Sequence, residues 1–240
     1  MEIMASPKRL ARVAGLFYLG LAVFMAPAEL VVRDGARVPG DAAATAANIV
    51  ANETLFRLGL VSDLVGITLF LLLGMALYRL LKHVAPDVAA AMMVFVALGV
   101  ASLSVNSLNH VAALVIAVEG PYAAGLGGSS DALVLFFLDL HGHGYSVGQV
   151  FFGLWLLPLG YLAYRSGWFP RALGVLLMIA AFTHLVEVFT HFLAPAVGDA
   201  VVLTIQVPAI IAEFWMMGYL LVKGVRTSQP DEHLAEATAG

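Results

Sequence analysis

Apolar residues run along the chain in six long blocks, at about 10–32, 56–81, 88–118, 142–164, 171–193 and 200–222, and most charged residues fall between them. Each block is about 20 residues or more, enough for a helix to cross a ~30 Å hydrocarbon core. The pattern predicts an all-α integral membrane protein: one domain over 1–226, built as a bundle of six transmembrane helices. An even number of spans puts both termini on one side. The tail 227–240 has no apolar periodicity and is expected to be disordered.

The connections refine this picture. In the 1–2 loop, 33–54, good helix formers follow Asp41, a residue suited to an N-cap, so a short helix is expected over the outer face. The Gly- and Ser-rich stretch 120–130 reads as a flexible outer loop. From Asp131 to Arg165 the apolar character continues for about 52 Å at 1.5 Å per residue, more than the core needs. Gly142 and Gly144 are therefore expected to mark the change from a second outer-face helix, in the 3–4 loop, to the fourth span.

Composition and charge add orientation and exclusions. The chain is 61% hydrophobic and 12% charged, far from the roughly 25% charged of a soluble domain. Its net charge of −4 and lack of a basic stripe leave no electrostatic footprint for nucleic acid. Cysteine is absent, which removes disulfides, thiolate ligands and thiol nucleophiles. The block after Lys8, Arg9 and Arg12 is too long for a secretory signal core and reads as a first span. Those three cations, with Arg79, Lys82, Arg165, Arg171, Lys223 and Arg226, lie on the terminal side, against Arg33, Arg37 and Arg57 on the other. Under the positive-inside rule both termini are cytoplasmic, in a bacterial inner membrane.

Ionisable groups inside a membrane span are costly, so they usually face a bundle interior or a watery cavity. They concentrate here in the outer half. Glu29 lies near the outer end of helix 1 and Asp63 in the outer third of helix 2, with Asn106, Asn109 and His110 on helix 3. His141, His143 and Gln149 lie near the outer end of helix 4, His184, Glu187 and His191 on helix 5, and Gln206 and Glu213 on helix 6. The inner half is almost purely apolar, which argues against a polar path across the whole bilayer and for a pocket that opens outward.

The spacing of His184, Glu187 and His191 places them on one helical face, but the two histidines stand about 10.5 Å apart along the axis and cannot share one ion. A divalent transition metal would need His141 or His143 from helix 4 as well, whereas facing histidines could instead hold haem. A hydrated structural network fits the same residues. The leading expectation is a pocket that binds a metal or a small apolar or amphipathic molecule, with possible enzymatic activity. The alternatives are a proton-coupled carrier using Asp63, Glu187 and Glu213, and an accessory subunit of a membrane complex or homo-oligomer.

The run Phe151-Phe152-Gly153-Leu154-Trp155-Leu156-Leu157-Pro158-Leu159-Gly160, followed by Pro170-Arg171-Ala172-Leu173-Gly174, resembles an uncharacterised bacterial multi-pass family, domain of unknown function 4386. Ala14-Gly15-Leu16-Phe17-Tyr18-Leu19 and the closing 213–224 are similar as well. The resemblance implies a membrane architecture and no activity. His143, His184 and His191 depart from it, standing where Tyr or another polar residue is expected.

Overall fold

The structure, a computed structural model, describes residues 6–194, 196–197 and 199–226, with the side chains at 29, 30 and 199–203 outside that set. The tail expected to be disordered, 227–240, lies outside the described residues. Among those described there is no strand, and six helical segments are long and apolar enough to cross a membrane.

Each helix starts and stops where its sequence dictates. Helix α1 (Pro7–Pro27) has Pro7 in its first turn and Ser6 as N-cap, the hydroxyl accepting from the Arg9 N–H. Pro27 has no N–H to continue the ladder, and the chain passes into a π-helical segment, Ala28–Arg33, and a single turn, α2 (Asp34–Ala36). The 1–2 loop then forms α3 (Ala42–Ala51), capped as expected by the Asp41 carboxylate on the Ala44 N–H at 2.9 Å. The second and third spans are α4 (Glu53–Leu81) and α5 (Pro86–Val118). In the 3–4 loop, α6 (Gly120–Leu126) occupies the stretch read as flexible. The fourth span is α7 (Ser130–Leu154) continued by α8 (Leu156–Ser166), and the last two are α9 (Arg171–Leu193) and α10 (Asp199–Val222).

The boundary expected at Gly142 and Gly144 is absent: α7 runs through both. Glycine weakens a helix interior without breaking it, and Gly144 serves a different purpose, because a Cβ there would fall on the Asn106 side chain. The discontinuity comes instead at Trp155, where Pro158 cannot donate to the Leu154 carbonyl four residues earlier.

The spans close into a ring in chain order. Helix α1 packs on α4, α4 on α5, α5 on α7 and α8, these on α9, α9 on α10, and α10 back on α1. At one end, here the terminal end, the Arg226 N–H donates to the Trp168 carbonyl at 3.1 Å, and His83 stacks on Trp168. Glycines allow the closest approach, between α8 and α9, where a Cβ on Gly160 would lie 2.6 Å from the Gly174 carbonyl oxygen. Val23, Val61, Val105, Tyr161, Phe182 and Phe214, one from each span, are exposed, as side chains facing lipid should be.

Two apolar cores result. The larger fills the terminal half and middle of the ring around Phe70, Leu77, Met92, Trp155, Leu159 and Leu173. The smaller lies at the far end, where α3 and the π-helical segment cover the ends of α4, α5 and α7 through Val32, Ile49, Phe56, Leu114 and Leu138. At about 50 Å, α5 is longer than the hydrocarbon core, so this second core forms a cap at or beyond the far interface.

Two substitutions test the continuity of α7 and the close contact between α8 and α9. Gly142 has open space around its Cα, so Gly142→Ala should stabilise the detergent-solubilised protein by about 0.5–1 kcal/mol. Gly174→Ala, which forces backbone apart, should destabilise by about 1–3 kcal/mol. Chemical denaturation followed by far-UV circular dichroism reads both, and destabilisation by Gly142→Ala would contradict an unbroken helix.

Candidate functional site

Buried polar side chains gather where the two cores meet. Among the described residues they are Arg33, Thr45, Asp63, Asn106, Ser107, His110, His141 and His184. None lies in the terminal half.

The first group centres on an ion pair between Arg33 and Asp63, each side chain 6% exposed. Arg33 ends the π-helical segment and turns inward, although its sequence position assigned it to an outer loop. Asp63 is brought to it by the buried face of α4. Next to the pair, the Asn106 amide donates to the His141 carbonyl at 2.9 Å, and Asn109 donates to the Asn106 side-chain oxygen at 3.0 Å. His141 Nδ1 lies 3.3 Å from the Asn106 carbonyl and His110 Nε2 3.1 Å from the Phe56 carbonyl. A carbonyl only accepts, so those ring nitrogens carry the hydrogens, and His141 Nε2 and His110 Nδ1 are left as acceptors. Both are buried without a hydrogen-bond partner.

His141 and Arg33 line two spaces at once. One is a small recess of about 10 Å³ that Asp63, Asn106, Ser107 and Tyr145 also line, room for roughly one water. The other is a cleft of about 170 Å³ at the far end, walled by Asp34, Arg37, Asp139, His143 and His191 besides. At its rim Arg37 pairs with Asp139 at 2.7 Å, and His143 Nδ1 meets His191 Nε2 at 3.1 Å.

The second group is a string across three helices. The Tyr18 hydroxyl on α1 donates to Glu213 Oε2 on α10 at 2.8 Å, and His184 Nε2 on α9 lies 3.1 Å from Glu213 Oε1. His184 Nδ1 is 3.9 Å from Glu187, which accepts from Gln206. Gly153 makes this arrangement possible, since a Cβ there would sit 2.8 Å from that of His184.

The five residues expected to hold a metal are thus divided. His141 belongs to the first group, His143 and His191 pair at the rim, and His184 and Glu187 belong to the string. Among the described residues, no three His, Asp or Glu side chains are placed to hold a metal ion. His184 and His191 share a face but stand about 10.5 Å apart along α9, and their rings go to different helices, His191 to His143 on α7 and His184 to Glu213 on α10. Haem does not fit either, because both cavities are smaller than the roughly 300 Å³ at which ordinary ligand pockets begin. Asp63, Asn106, Asn109 and His110 converge as one group, and Gln206 and Glu213 as another. Gln149 is half-buried and makes no side-chain hydrogen bond among the described residues, and the Glu29 side chain lies outside them.

Two participants were not selected from the sequence, Arg33 and Tyr18. A signal existed for each: a carboxylate as deep as Asp63 needs a cation, and a mid-span tyrosine hydroxyl needs a partner.

Comparison with known proteins adds a family. Residues 13–224 match the family described as Domain of unknown function (DUF4386). An uncharacterized protein of Archaeoglobus fulgidus is 31% identical over 83 residues, 35% of this chain, and the match spans about half of that relative, 48%. No solved structure matches the chain.

The buried ion pair sets a test of the site's construction. Arg33→Met, which leaves the Asp63 carboxylate without this cation, should cost about 3–5 kcal/mol, and adding Asp63→Leu should restore most of it. Equal stability of the single and double variants would show that the pair does not bind the two elements together.

Proposed function

We propose, from the premise that the chain belongs to the DUF4386 family, whose function is unknown, that it is a multi-pass membrane protein that binds a small zwitterionic or uncharged polar molecule in its far-end cleft. The observation that carries this is His141, which walls the cleft while its buried Nε2 has no hydrogen-bond partner. A buried acceptor left empty is costly, and a ligand N–H or O–H would fill it. The cleft's formal charges cancel, Arg33 and Arg37 against Asp34 and Asp139, so a molecule with both a donor and an acceptor suits it better than a plain anion.

The cation bias in the sequence supports an orientation in which the terminal end is cytoplasmic and the cleft opens on the other side of a bacterial inner membrane. Binding there serves a receptor, an enzyme or a carrier. The Tyr18–Glu213–His184–Glu187–Gln206 string favours proton coupling as a second reading, because it holds two carboxylates and an imidazole in direct succession. The apolar terminal half weighs against a through-going path.

Free amino acids, as zwitterions, and small polyols are the probes. Purified protein should show a saturable rise in unfolding midpoint with at least one of them, equivalent to about 2.7 kcal/mol at a hundred times its Kd. His141→Phe, which keeps a planar ring and removes the acceptor, should abolish it. A panel that leaves the wild-type midpoint unmoved, or that stabilises His141→Phe equally, would refute the assignment.

A further inference from the structure

A further concavity lies on the outside of the ring, between α5 and α7, and α7 separates it from the cleft, which lies on the side of α9. This groove is shallow and open, with a volume of about 380 Å³. Its walls are Val105, Leu108 and Val147, which are 68%, 64% and 49% exposed and face where lipid must be. Its floor is polar, made by Ser102, Asn106 and Asn109. It exists because Gly144 lacks a side chain on that surface; a Cβ there would fall on the Asn106 side chain.

The floor has unused hydrogen-bonding capacity. Asn106 is occupied, donating to the His141 carbonyl and accepting from Asn109. Asn109 spends one N–H on that bond, and its second N–H and its Oδ1 make none among the described residues. Hydrocarbon cannot satisfy an amide, so the groove calls for an occupant with a donor and an acceptor close together. No charged residue lines it, so the occupant's polar part is neutral. Position agrees: from Ser102 to Asn109 the groove lies about 24–35 Å along α5 from Pro86, at the far edge of a ~30 Å core, where glycerol and ester groups sit.

We infer that this groove binds one neutral glycerolipid. A glycerol hydroxyl donates to Asn109 Oδ1, an adjacent ester carbonyl accepts from the free Asn109 N–H, and the acyl chain runs along Val105, Leu108 and Val147 toward the membrane centre. The site is independent of the cleft, and either can fail without the other.

The test is photolabelling of the full chain in phosphatidylcholine vesicles doped with a diacylglycerol that carries a diazirine on its acyl chain. Peptides of α5 and α7 should be labelled, and unlabelled diacylglycerol should compete about tenfold better than added phosphatidylcholine. Asn109→Leu, which removes the amide, and Val147→Trp, which fills the groove from its lipid side, should each reduce labelling about tenfold. Val147→Trp changes an exposed position and should keep the wild-type unfolding midpoint, which makes loss of labelling a local effect. Labelling that survives both substitutions, or that phosphatidylcholine competes equally, overturns the site and reduces the groove to ordinary lipid contact.

Discussion

The ion pair between Arg33 and Asp63 ties the π-helical segment to α4 at the level where the two cores of this molecule meet. Below it lies a ring of helices with a dry core; above it, a small cap assembled from α2, α3 and the projecting ends of three spans. A carboxylate and a guanidinium at that depth cannot be hydrated by the bilayer, so each must face the other or water inside the protein. Meeting that requirement sets which face α4 turns inward and makes use of the π-helical segment, which carries Arg33 to the interior. The neighbouring amide and imidazole bonds, Asn106 to His141 and His110 to Phe56, lock α5 against α7 and α4 around the pair.

Polarity is therefore arranged in layers. The terminal half is packed with leucine, alanine and aromatic side chains. The middle holds the string from Tyr18 to Gln206, satisfied mostly within itself. The far layer holds His141, which lines the cleft and has an unpartnered Nε2, and Asn109, which lines the groove between α5 and α7. Incomplete hydrogen bonding is cheap beside water and expensive in a dry core, yet the larger core holds one case, the buried Trp155 Nε1, which has no hydrogen-bond partner.

Much of the architecture was legible because it follows from periodicity and length. All six spans, the short helix after Asp41 and the dry terminal half came directly from where apolar residues run without interruption. Gly142 and Gly144 misled, since glycine in a sequence reports only permissiveness; whether it ends a helix or admits a neighbour depends on what packs against it. Pro158, a stronger signal, was the position that interrupted the ladder. The grouping of the polar candidates was not legible. His184 found its partner in Glu213, 29 residues away on another helix, and His191 turned to His143 instead of joining it.

By itself the sequence determined the solvent and the helices, because these depend on transfer free energies summed along one segment. It did not determine who meets whom. That rests on the rotation of each helix about its axis and on which neighbours the ring provides, and a change of one residue's pitch, such as the π-helical turn before Arg33, moves a side chain from the surface to the interior. Only the tertiary structure could show that a chain with seven histidines scatters its candidate ligands among three places, and that an arginine counted with the loops completes the buried site.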